Sequence, residues 1–108
     1  MFNNYIVNIL ITAATTAQAH RLKAQLNNDQ LLLGDYLELP AFMLSSGKMI
    51  SLPKPESVAY THEMLTLCLD NNISKVYLFR ENEIKLLMEA EQLFKEYNIE
   101  LLIAPNEI

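Results

Sequence analysis

Four polar side chains stand where an α/β chain usually does its chemistry, directly after an apolar run or at the start of a helix. Thr15 and Thr16 follow the apolar residues 5–12, Asp35 closes Leu31-Leu32-Leu33-Gly34, and Glu83 follows Val76-Tyr77-Leu78-Phe79 after Arg80-Glu81-Asn82. Threonine hydroxyls beside the free N–H groups of a helix start can hold a small anion, although either threonine could equally cap the helix. An acid after the second strand of a nucleotide-binding sheet takes a ribose hydroxyl, but Gly34-Asp35 is also an ordinary turn. Glu83 at a helix start is favoured electrostatically with or without a ligand. A dinucleotide would require glycines in the first loop so that backbone can approach a pyrophosphate. The loop reads Ala13-Ala14-Thr15-Thr16, which argues against NAD or FAD.

Other chemistries find less. Cys68 is the only cysteine, so an internal disulfide and a Cys-rich metal site are both ruled out. Its setting, Leu65-Thr66-Leu67-Cys68-Leu69, reads as a small buried thiol. His62-Glu63 lacks a second histidine at helical spacing, no serine sits in a nucleophile elbow, and the carboxylates are scattered. No catalytic residue and no metal ligand is expected.

The charge of −5, from thirteen acidic and eight basic side chains, repels phosphate backbones and argues against a nucleic-acid partner. The largest basic cluster, His20, Arg21 and Lys23, fits the solvated face of a helix. Residues 5–14 are apolar and Ala17-Gln18-Ala19 imitates a signal-peptidase site. However, no Lys or Arg precedes the run, Asn8 interrupts it, and it is too short to span a bilayer. A buried strand in a cytoplasmic protein without a membrane partner is expected.

The elements that must hold these residues follow from the pattern. Residues 5–12 are β-branched and almost continuously apolar, as a strand covered on both faces would be. A helix from Thr15 or Thr16 to Leu26 places Ala19, Leu22 and Leu26 on one face. Leu31-Leu32-Leu33 is a second strand. Residues 36–55 carry three of the four prolines, and within them 41–44 and 49–52 suggest short strands. Ser57 can cap a helix whose apolar face includes Val58, Leu65 and Leu69. Val76 to Phe79 forms a strand, residues 83–97 one long amphipathic helix, and Leu101 to Ala104 the last strand. With only two glycines, tight turns fall to Asn27-Asn28-Asp29, Asp70-Asn71-Asn72 and Ser45-Ser46-Gly47. Alternating strands and helices predict one α/β domain over residues 1–108. It is a Rossmann-like three-layer sandwich with a mostly parallel sheet of about five strands in order 3-2-1-4-5.

The ordered features also resemble a known family. They are the opening strand and small-residue loop, Leu33-Gly34-Asp35, Ile50-Ser51-Leu52-Pro53, the stretch Ala59-Tyr60-Thr61-His62-Glu63-Met64, Asn72-Ile73-Ser74-Lys75-Val76-Tyr77, and Tyr97-Asn98-Ile99-Glu100-Leu101. Together they are similar to the pre-ATP-grasp domain of the carbamoyl phosphate synthetase large subunit and its ATP-grasp relatives. The resemblance implies a domain that packs against an ATP-grasp module and helps shape the substrate side of its cleft. It also implies that ATP and magnesium are held by that module, on a partner ATP-grasp protein, and that this chain carries no cofactor of its own. Asp35 and Glu83 match the family's acids after the second strand and at the head of the following helix. The loop at Ala13-Ala14-Thr15-Thr16, where the family usually has glycines, and Leu78, where it usually has proline, depart from the pattern. Three functions follow as expectations, in this order: a non-catalytic partner of an ATP-grasp ligase, a small-molecule sensor using the Thr15–Asp35–Glu83 edge, and a stand-alone enzyme, for which no set of residues assembles into a site. A homo-oligomer is compatible with all three.

Overall fold

The computed structural model describes residues 7–28 and 30–105. Tyr5 and Ile6 of the expected first strand, and Asp29 of the first turn, lie outside the described residues. In chain order the elements are β1 (Asn8–Ile11), α1 (Ala17–Leu26), β2 (Leu31–Asp35), α2 (Ala41–Ser45) and β3 (Met49–Ser51). They continue as α3 (Tyr60–Asp70), β4 (Ile73–Leu78), α4 (Glu81–Met88), α5 (Glu91–Glu96) and β5 (Glu100–Ile103). The five strands form one sheet in the order β3-β2-β1-β4-β5. Every pairing is parallel, with Ile11 opposite Leu33 and Tyr77, Asp35 opposite Ser51, and Tyr77 opposite Leu102. The expected α/β architecture and strand order are therefore the observed ones.

Two apolar clusters sandwich the sheet. One gathers Leu10, Leu52, Tyr60, Met64, Cys68, Val76, Leu78, Leu87, Phe94 and Ile99 beneath α3, α4 and α5. The other gathers Ile11, Ala14, Ala19, Leu22, Leu33, Leu39 and Met49 beneath α1 and α2. The alternation of β1 sends Leu10 to one cluster and Ile11 to the other, so both faces of the central strand are dry. The second face is covered more thinly. Tyr77 and Phe79, on the side of the sheet that α1 and α2 cover, stay only partly buried.

Asparagines replace glycine at the turns. Asn27, Asn72 and Asn98 all take left-handed backbone, with φ of 46°, 54° and 61°. Asparagine tolerates that region better than most side chains. Gly34 answers a different need, because a Cβ there would stand 2.9 Å from Leu52 Cδ2 as β3 passes.

Four expectations need correction. Residues 41–44 form helix α2 rather than a strand; Ala, Met and Leu are good helix formers, and the run is too short for its periodicity to decide. The long helix expected over 83–97 is two, because Ala90 leaves helical backbone at φ −108°, ψ 19°. Leu87 before that break and Phe94 after it are both fully buried, so packing sets the break. In α3 the buried stripe is Tyr60, Met64, Leu65 and Cys68, while Val58 and Leu69 face outward. Ser57 caps the turn ahead of the helix, accepting from the Ala59 amide at 3.2 Å, and α3 itself starts at Tyr60. Burial pushes the Cys68 thiol up to about 12. Among the described residues no helix is long and apolar enough to cross a membrane.

Candidate functional site

The carboxyl ends of β1, β2 and β4 meet at the switch in strand order, where open parallel sheets bind ligands. Thr15 comes from the β1–α1 loop, Asp35 from the last position of β2, and Arg80 from the β4–α4 loop, at the N-cap position of α4. The three lock together. Asp35 Oδ2 accepts from the Thr15 amide at 2.9 Å, from Thr15 Oγ1 at 2.8 Å and from Arg80 Nη2 at 3.2 Å. Its Oδ1 accepts from the Leu37 amide at 3.1 Å and from Arg80 Nη1. Arg80 Nη2 also donates to Thr15 Oγ1 at 3.0 Å, and its guanidinium lies 5.0 Å from the centre of the Tyr36 ring. Asn82 Nδ2 donates to the Tyr36 hydroxyl at 3.2 Å.

Asp35 is fully buried, and burial alone would raise its pKa. The bonds from Arg80, from the Thr15 amide and hydroxyl and from the Leu37 amide outweigh that and hold it below the ordinary 3.8. Burial would lower Arg80 in turn, but its bond to Asp35 and the nearby charges keep it above its usual value. The cluster is a bidentate ion pair with every Asp35 lone pair engaged.

Thr16 is turned to a different task. It is the N-cap of α1: its Oγ1 accepts from the Ala19 amide at 3.3 Å and donates to the Ala13 carbonyl at 2.7 Å. Ala13 makes the turn before it at φ 59°, a left-handed conformation that costs an alanine roughly 1–2 kcal/mol. The loop amide that would face a phosphate, Thr15 N–H, is already taken by Asp35. The residues present therefore do not fit a dinucleotide pyrophosphate, and a ribose hydroxyl would find no free oxygen on Asp35.

Glu83, in the first turn of α4, is also fully buried but stays outside this lock. Its Oε2 accepts from the Tyr60 hydroxyl at 3.3 Å, and its amide donates to Asn82 Oδ1 at 2.8 Å. Oε1 has no partner among the described residues. Burial pushes the Glu83 carboxyl up; the charge of Arg80 and the Tyr60 hydroxyl pull it down, the charge of Asp35 adds to the rise, and the result is about 7. Burial and the neighbouring Glu83 carboxylate raise the Tyr60 hydroxyl in turn.

Of the four residues singled out in the sequence, Thr15 and Asp35 are in direct contact, Glu83 is linked to them through the field of Arg80, and Thr16 is a helix cap. Arg80 and Tyr60, the partners that decide the state of both acids, were not among them. Arg80 had a legible signal, as an isolated cation at a strand end on the ligand-binding edge. Tyr60 had none, since its spacing makes it an ordinary core aromatic. Among the described residues no group of three or more His, Cys, Asp or Glu is placed to hold a metal ion.

These features define a Rossmann-like α/β domain whose switch point is closed by its own side chains. No protein-family model matches the sequence, and no curated protein matches it. Among solved structures the chain is similar to L-threonine 3-dehydrogenase from Trypanosoma brucei, at 18% identity and a TM-score of 0.57. The match covers 92% of this chain and 36% of that one. At that identity it shows the shared Rossmann-like fold alone.

Proposed function

We propose that this chain is a non-catalytic Rossmann-like domain that works as the companion of an ATP-grasp ligase, in the manner of the pre-ATP-grasp domain of carbamoyl phosphate synthetase relatives. The observation that carries the non-catalytic half is the lock at the switch point. Five donors converge on the two oxygens of Asp35, three on Oδ2 and two on Oδ1. Among the described residues the only cysteine is a buried thiol with a raised pKa. The edge that binds cofactor in other Rossmann-like domains is here a strut. ATP and magnesium then belong to the partner's module, whose identity rests on the sequence resemblance. The test is affinity capture of the tagged protein from its native host followed by mass spectrometry. An ATP-grasp polypeptide at near-equal amounts is expected; recovery of the protein alone would overturn the reading.

One observation favours a second reading, a small-molecule sensor. Glu83 Oε1 is buried without a partner among the described residues, and an unpaired buried oxygen costs about 1–3 kcal/mol unless something donates to it. Calorimetry against nucleotides, amino acids and carboxylates tests this. Heat released by wild type but absent in Glu83→Gln would support it, and silence across the panel would remove it.

A further inference from the structure

We infer that the groove between α1 and the α2–β3 corner binds a small anion that carries an apolar body, at a place separate from the switch point. The groove exists because α2 is short. A five-residue helix covers little of the sheet between β2 and β3, so Leu31 and Met43 stay only partly buried, above the buried Leu33. The resulting depression has a volume of about 410 Å³, within the range of small-ligand sites.

Two lysines and a histidine stand on its rim. His20 and Lys23 lie one turn apart on α1, and Lys48 faces them from the corner before β3. His20 is fixed rather than free: its Nε2 donates to the Ala14 carbonyl at 2.8 Å, which ties the ring to the β1–α1 loop. Neither Lys23 nor Lys48 has an ion-pair partner among the described residues. No described carboxylate lines the groove, or the adjoining depression that shares His20, Lys23 and Leu31, in a chain with thirteen acidic side chains. An acidic protein that leaves an apolar-floored groove with two lysines on its rim is complementary to a ligand with a carboxylate or phosphate at one end and an aromatic or aliphatic body at the other. The anion would meet the lysine ammoniums as charge-assisted hydrogen bonds, and the body would cover Leu31 and Met43.

Phenyl phosphate, inorganic phosphate and benzyl alcohol separate the two halves of this inference. In amide NMR titrations, phenyl phosphate is expected to bind saturably in the millimolar range and to shift signals within residues 20–33 and 43–48. Inorganic phosphate and benzyl alcohol are each expected to bind more weakly. The double variant Lys23→Gln, Lys48→Gln changes only exposed side chains and should raise the phenyl phosphate dissociation constant roughly tenfold. Equal binding of benzyl alcohol would overturn the anionic half, and equal binding of inorganic phosphate would overturn the apolar half. Shifts that ignore the double variant, or no shifts at all, would overturn the whole inference.

Discussion

Asp35 and Glu83 sit at the same edge of the same sheet, both fully buried, and their carboxyls are driven in opposite directions. Asp35 receives bonds from two amides, a hydroxyl and a guanidinium, and stays ionised. Glu83 receives one long bond from Tyr60 and feels Arg80 only through space, so burial wins and its pKa moves to about 7. Both acids are sealed from solvent, but Glu83 lies deeper and fewer donors reach it, so desolvation prevails there and is outweighed at Asp35. The pair also share Arg80, which commits both of its terminal nitrogens to Asp35. The nearer acid is satisfied and the other is left one donor short.

Removing the satisfied acid should do the most damage. Asp35→Asn leaves Arg80 without its counter-charge and costs a predicted 2–3 kcal/mol (about that order, since Arg80 keeps some contact with water). Urea denaturation at pH 7 measures this, and a loss below about 0.5 kcal/mol would mean that the lock carries no stability.

The two acids should also produce opposite pH limbs. Because the folded pKa of Asp35 is depressed, its contribution is present above the unfolded carboxylate range and is lost as pH falls through that range and below it. Because that of Glu83 is raised, its contribution is complete below the unfolded range and disappears as pH rises from about 4.5 to about 7. Stability should therefore peak near pH 5, with a fall towards pH 8 of about 2–3 kcal/mol. Glu83→Gln should flatten that neutral limb and leave the acid limb intact. A variant that keeps the neutral limb would assign it to another group.

Smaller changes sharpen the contrast. Tyr60→Phe strips Glu83 of its one side-chain donor among the described residues and should cost about 1–2 kcal/mol at pH 8, with a smaller loss at pH 5, where the carboxyl is neutral. Equal losses at the two pH values would show that the hydroxyl does not read the charge of Glu83. Thr15→Val deletes one of five donors to Asp35 and should cost about 1 kcal/mol by thermal or urea unfolding, because the amide and the guanidinium remain. A loss comparable with that of Asp35→Asn would make the hydroxyl the centre of the lock.

The sheet could be read from the sequence because its strands are short, dense apolar runs, such as Leu31-Leu32-Leu33 and Val76-Tyr77-Leu78-Phe79, set between helical patterns. Strand order then followed from the alternation of elements. The positions of Thr15, Asp35 and Glu83 at one edge were legible for the same reason, as was the capping role open to Thr16. What could not be read depends on contacts far apart in the chain. Arg80 reaches Asp35 across 45 residues and Tyr60 reaches Glu83 across 23, and neither pairing leaves a spacing signal. The break at Ala90 has no glycine or proline to announce it. Helix α2 is too short for a period of 2 to be told from one of 3.6.

Cys68 turns the core into its own clock. It shares the inner stripe of α3 with Tyr60, and its thiol is fully enclosed and held protonated. A disulfide reagent in solution can reach it only when the packing around it opens. When closing is faster than labelling, the modification rate reports the free energy of that opening. The chain's own thiol thus reports how often the packing beneath the C-terminal half of α3 comes apart, with no engineered probe.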